Sequence, residues 1–285
     1  VAAQDKLPAT KAELAQRLAL YAPGDPRRRD VTAATVAAVS LEDAKRYYRF
    51  AFRPDETAIA IVGDVTPVQV EAIISKYFGQ WKAIGPAPTF TYPKLAHKIT
   101  KAETVRVKST QSQQSEVTLK QTFKMYRGDA DFVPLLMANI ILSGEGTGSL
   151  LFQNLRTRYG YVYSVDSDIS VNHEGAEFSI SYASAPKDVN RAGSAAVAII
   201  KRLQQTPLAI EDVQRAKALL LAQRALPLDS YAGLANLMLS NVGYYDDGSD
   251  GRFWKALVQT TPAQIQHAMR RIDADHFLRV IVAPE

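Results

Sequence analysis

Apolar residues recur at helical spacing in some stretches of the chain and alternate with polar ones in others, with strong turn formers between. Residues 10–20 have helical character, which Pro23-Gly24-Asp25-Pro26 breaks. Ser40-Leu-Glu-Asp43 reads as a capping box opening a helix with Leu41, Ala44, Tyr47, Tyr48 and Phe52 on or near one face. Arg53-Pro54-Asp55 stops it, and residues 57–62 have the composition of a buried strand. Thr66-Pro67 opens another helix, carrying Val70, Ile73, Ile74, Tyr77 and Phe78 and ending at Gly79. Residues 83–97 hold Gly85, Pro86, Pro88 and Pro93 with little periodicity, as a linker would.

Beyond that point strands are predicted at 105–107, 117–123 and 178–182, with an apolar helix from Phe132 to Leu142. Helices follow near 187–204, 210–225, 230–241 and 261–272, and a strand over 278–282. An internal repeat is visible. The Ser40 capping box, its helix and the strand 58–62 resemble Thr261-Pro-Ala-Gln264, its helix and the strand 279–282. If the chain is built from two duplicated lobes, the first has lost about half of itself.

The richest segment runs from Ser149 to Val165. Ser149 can cap a helix in which Leu150, Leu151, Asn154, Leu155 and Arg158 fall at helical spacing. Gly160 supplies a left-handed stop, and Tyr161, Val162, Tyr163 and Val165 suit a strand. Arg156 and Tyr163 can then face one cleft. A guanidinium and a phenol are donors suited to a carbonyl oxygen that becomes negative during a reaction. A surface Arg and a half-buried Tyr account for the same residues without chemistry. Just upstream, Gly144, Gly146 and Gly148 form a flexible loop. It looks superficially like a phosphate loop but follows a helix and has no Lys before its Ser, so a hinge for close packing is the plainer reading. Ser230-Tyr231, Tyr244-Tyr245 and Trp254 could line a cleft or simply pack.

Composition narrows the classes. A chain of 285 residues, 47% hydrophobic, can bury a substantial core. The absence of cysteine removes thiol catalysis, disulfides and thiolate metal sites. A formal charge of +5 is modest, and Arg27-Arg28-Arg29 is the one dense basic run, better read as a solvated loop. No nucleic-acid-binding motif accompanies it, so no nucleic-acid partner is expected. No apolar run reaches the length of a membrane span. The sequence as given has neither a signal-peptide pattern nor an initiator Met, which suggests a processed or excised chain.

The Ser149–Val165 segment resembles the signature of the C-terminal half of the insulinase-type zinc peptidases, whose relatives include pitrilysin and mitochondrial processing peptidase. There Leu-Arg is followed by polar residues, Gly and Tyr-Ser-Val, and Leu155, Arg156, Gly160, Tyr163, Ser164 and Val165 fit. Ile61-Val62-Gly63-Asp64 and Tyr77-Phe78-Gly79-Gln80-Trp81 resemble the tail of the family's first lobe. The resemblance implies an α+β fold with a mostly antiparallel sheet flanked by helices. Residues 1–82 would be the tail of an incomplete first lobe, 83–97 the linker, and 98–285 a complete zinc-free lobe. It also implies that Arg156 and Tyr163 bind a peptide or unfolded polypeptide substrate and stabilise the transition state, without ligating metal. The glycine loop would face the substrate chamber.

The family's zinc motif, His-x-x-Glu-His, has no match. The histidines are His97, His173, His267 and His276, and no two have the spacing. His173-Glu174 is expected between strands, His267 on a helix surface and His276 before the last strand. The chain is therefore expected to bind no cofactor and to be inactive alone. Zinc would sit on another lobe or subunit bearing His-x-x-Glu-His, and the assembled protein would be a zinc metalloendopeptidase. A structural or scaffold lobe of the same fold is the alternative. Family habits suggest a periplasmic or secreted bacterial setting and leave a cytoplasmic one open.

Overall fold

The computed structural model describes residues 7–89, 99, 101–110, 112–144, 146–243 and 249–284. They divide into two units, one drawn from residues 1–30, 92–221 and 250–285, the other from 31–91 and 222–249. Residues 90–97 of the expected linker lie outside the described residues, as do His97, Tyr244 and Tyr245.

The larger unit is built on five strands: β1 (Glu103–Ser109), β2 (Ser115–Phe123), β3 (Val162–Asn172), β4 (Gly175–Ser184) and β5 (Leu278–Pro284), in the order β1-β5-β2-β4-β3. Pairing is antiparallel except between β1 and β5, so the sheet is mixed and mostly antiparallel. The fold is α+β, as the resemblance implied. Alternation sets the faces: Val117 and Leu119 of β2 lie opposite Tyr182 and Ile180 of β4, and all four are buried in one core. That core is completed by helices α5 (Phe132–Asn139), α6 (Val189–Gln205) and α10 (Pro262–Met269), with Ala192, Ala196 and Ile200 of α6 fully buried. The helix α7 (Ile210–Ala225) adds Val213, Ala216 and Leu220 to it.

A smaller core lies on the other face, where α1 (Pro8–Leu20) brings Ala12 and Leu20 against Leu278, Val280 and Val282. By contact, the described residues up to 30 cluster with this sheet. They are fastened there by Tyr21, whose hydroxyl donates to Glu177 on β4, while Lys120 on β2 pairs with Glu177 at 2.8 Å. The Arg27 guanidinium lies 4.1 Å over the Tyr21 ring.

Sequence periodicity missed one helix of this unit, α9 (Ser249–Gln259), because the polar, glycine-bearing run before it signals turn. Phe253 and Leu257, four residues apart, are its buried anchors, and Trp254 packs at the edge of the same core.

The second unit contains α2 (Ala33–Ala37), α3 (Leu41–Ala51), α4 (Pro67–Phe78) and α8 (Tyr231–Gly243). The box at Ser40/Asp43 forms as expected, and the expected N-cap at Thr66 is extended into a second box with Gln69. The strand expected over 57–62 does not: these residues have no ladder partner, and Ile59 and Ile61 are exposed. Their apolar run has the right composition, but among the described residues no strand of this unit lies beside it. Among the unit's described side chains, Arg53 alone is buried. It forks onto Asp55 at 2.9 and 2.7 Å and reaches the carbonyls of Ile84 and Gly85 at 2.8 and 3.1 Å, pinning the ends of the α4 segment together.

Candidate substrate-binding site

The site is assembled by a helical turn, a glycine and a bulge. After Gly146–Gly148, one 3-10 turn, the chain enters a helix whose residues Phe152–Arg158 have π geometry. Ser149 is buried, and its hydroxyl donates to the Gly146 carbonyl at 2.8 Å instead of accepting a cap bond from the helix. The expected side-chain cap is thus a turn lock within the glycine loop.

Leu151 and Leu155 are fully buried and fix the helix on the core. Phe152 and Arg156 occupy the neighbouring stripe, one turn apart and outside the core. The helix ends on Gly160 at φ +63°, with the Gly160 N–H bonded to the Arg156 carbonyl and the Tyr161 N–H to that of Leu155.

The chain then enters β3 with an irregularity. Val162 pairs with Ser184 and Ser164 with Ala183, leaving Tyr163 as an extra, bulged residue. The bulge lets Tyr163 and Ser164 both face solvent, and Tyr163 is 64% exposed. It also presents the Tyr163 carbonyl to Arg156, whose guanidinium donates to it. The same guanidinium lies 5.0 Å over the Tyr163 ring and 5.2 Å over the Phe152 ring. The structure therefore brings Arg156 and Tyr163 together, and Phe152 with them, a residue the sequence reading passed over. Its signal was available: an aromatic four residues before an Arg on a helix. Next to this cluster Tyr159 and Tyr161 stack at 5.2 Å, with Arg158 over Tyr159.

β3 lies at the sheet's edge, where bare backbone would invite another strand. Much of that edge is occupied. Ser143 accepts from the Ser167 N–H at 3.0 Å and donates to its carbonyl at 3.0 Å, and Asn139 donates to the same carbonyl at 3.1 Å. The Ser167 hydroxyl completes the network on Asn139 at 2.8 Å.

The described histidines fall where sequence placed them. His173 sits in the β3–β4 turn, His267 is exposed on α10, and His276 bonds Asp273 at 2.8 Å before β5. Among the described residues no three of His, Asp and Glu cluster closely enough to hold a metal ion, so these residues do not fit a zinc centre. Among the described residues no helix is long and apolar enough to cross a membrane.

A search of curated proteins finds no relative of this chain. Solved structures share its fold. The peptidase M16 inactive domain from Pseudomonas fluorescens has a TM-score of 0.83 at 22% identity, covering 99% of this chain and 66% of its own. The periplasmic protease PqqL from Escherichia coli gives 0.78 at 18%, covering 99% of this chain and 31% of its own. The ferredoxin protease FusC, in complex with Arabidopsis ferredoxin, gives 0.72 at 15%, covering 99% of this chain and 30% of its own. This chain thus spans less than two thirds of the length of each. The family described as the peptidase M16 inactive domain matches residues 38–220, more than half the chain. This chain belongs to that family, the non-catalytic lobe of the insulinase-like peptidases.

Proposed function

We propose that this chain is the substrate-positioning, zinc-free portion of an insulinase-type peptidase. In it Arg156 and Tyr163 orient an extended polypeptide toward a zinc site carried by another lobe or subunit. The observation that carries this reading is the Arg156–Tyr163 pair at the bulged start of β3. A guanidinium has five N–H donors, and one meets the Tyr163 carbonyl, which leaves donors for a peptide carbonyl beside the exposed phenol. In this reading the chain leaves the hydrolysis to the zinc-bearing partner. The chain's own contribution is to bind and align.

The second unit supports a further polypeptide partner. Leu41, Tyr47, Tyr48, Val68, Ile73 and Tyr77 are all exposed there, and an apolar groove of about 950 Å³ is lined by Ile59, Ile61, Val70, Ile74, Phe78 and Met238. Exposed apolar surface on this scale marks an interaction surface. The relatives have the extra length to cover it. A periplasmic or secreted setting belongs to the same reading and is tested by fractionating cells that make the complete protein.

The test is cleavage of quenched fluorescent peptides by the complete protein, or by this chain with a His-x-x-Glu-His partner. Arg156→Ala and Tyr163→Phe are assayed alongside. If each donor meets the oxyanion, each loss lowers kcat by roughly 10²–10³-fold, about 3–4 kcal/mol. Cleavage indifferent to both substitutions refutes the assigned roles and leaves the scaffold reading.

A further inference from the structure

We propose that Phe152 is a positioning residue for Arg156, holding the guanidinium in place over Tyr163. The inference rests on the functional reading above only for its catalytic consequence; the geometry stands apart from it.

Arg156 projects from the last turns of its helix into solvent, and the core leucines on the adjacent stripe do not restrain it. A long side chain so placed has wide rotamer freedom, which an ordered donor must surrender. Two groups restrict it here. On the C-terminal side lie the Tyr163 carbonyl and ring, and on the N-terminal side the Phe152 ring, with the guanidinium carbon 5.0 and 5.2 Å from the two ring centroids. Helical side chains lean back toward the preceding turn, so Phe152 sits where Arg156 would otherwise swing away from the strand. Phe152 is itself half-buried, which keeps its ring from moving with the guanidinium. Phe152 also offers no polar atom. It orients Arg156 and leaves every N–H of the fork for other partners.

The placement separates a positioning role from packing. Leu at 152 fills similar volume and preserves the apolar contacts but has no π face. Tyr keeps the face.

Two measurements test the proposal. In the chain labelled with 15N-arginine, Arg156→Lys identifies the Arg156 Nε–H resonance. The 15N relaxation of that N–H reports how ordered the guanidinium is. Phe152→Leu is expected to lower its order toward that of a solvent-exposed arginine, and Phe152→Tyr to leave it. In the assembled peptidase, Phe152→Leu is expected to lower kcat/KM by roughly threefold to fivefold, in keeping with an exposed cation–π contact, and Phe152→Tyr to restore it. Combined with Arg156→Ala, Phe152→Leu is expected to add nothing. An Arg156 N–H whose order is unchanged by Phe152→Leu overturns the proposal whatever the kinetics show. So does a Phe152→Leu loss that persists undiminished in the Arg156→Ala background. If Arg156→Ala itself leaves cleavage unchanged, the functional reading fails, and the resonance still decides the positioning role.

Discussion

Gly160 is the joint on which the candidate site turns, and Gly160→Ala measures how much that joint matters. Its φ of +63° is left-handed backbone, and a Cβ built there meets no atom within 4 Å. The cost of alanine is therefore conformational, not steric. Left-handed geometry costs an L-residue about 1–2 kcal/mol. Alanine also restricts the unfolded chain, which returns about 0.4–1 kcal/mol. The net expectation is a loss of about 0.5–1.5 kcal/mol, with Gly160→Asn costing less because asparagine tolerates this region. Tryptophan occurs at Trp81 and Trp254, one in each unit. Urea unfolding followed by Trp254 fluorescence in a Trp81→Phe background thus reports the unit containing Gly160. The reasoning fails if alanine is neutral, or if asparagine costs as much as alanine. A loss above about 3 kcal/mol would also refute it, since only a clash or cavity reaches that size.

Two further outcomes follow from neighbouring contacts. Ser143→Ala removes the acceptor of the buried Ser167 N–H and is expected to destabilise the sheet unit by about 1–3 kcal/mol. The same urea titration checks this, and equal stability would show the network to be incidental. Glu177 supplies the pH dependence. Burial opposes its ionisation, but hydrogen bonds from Lys120 and Tyr21 and the nearby positive charges outweigh burial and hold the carboxyl below its ordinary range. A lowered folded value means its contribution is complete above the unfolded carboxylate pKa, about 4.3, and is lost as pH falls through the folded value. Glu177→Gln should flatten the acid limb of stability measured from pH 7 to pH 2, and an unchanged limb would remove Glu177 from the account.

The sheet unit was legible in sequence because its signals are local and its partners lie within the chain. The alternation of β2 and β4, the helix over 132–142, the Gly160 stop and the Arg156-to-Tyr163 spacing all stood in the residue pattern. Periodicity identifies a buried face without naming what buries it, and there the reading stopped. Residues 57–62 have strand composition, yet a strand needs a neighbour, and none of the described residues supplies one. The Tyr163 bulge was hidden for a related reason: a register shift is a property of two strands, Val162 against Ser184 and Ser164 against Ala183, and one strand's sequence does not disclose it. Phe152 was missed because its ring acts through space on Arg156, not through the hydrophobic pattern.

The covered edge of β3 bears on how a polypeptide would be held. A peptide adding to the sheet as another strand would need the outward N–H and C=O groups of alternate β3 residues. The Tyr163 carbonyl is bonded by Arg156, and both the N–H and the carbonyl of Ser167 are engaged by Ser143 and Asn139. The backbone between these two points, Ser164 to Asp166, is too short for a ladder. Under the proposed function, recognition at this end of the edge would fall to side chains, the Arg156 donors and the Tyr163 phenol at the bulge. Donors of that kind bind any peptide carbonyl, whatever residue carries it. An arrangement of this sort fixes where the backbone lies and leaves sequence preference to other surfaces. Exchanging Arg156 would accordingly depress processing of unrelated peptides by similar factors, and strong dependence of the effect on peptide sequence would show that the edge reads side chains after all.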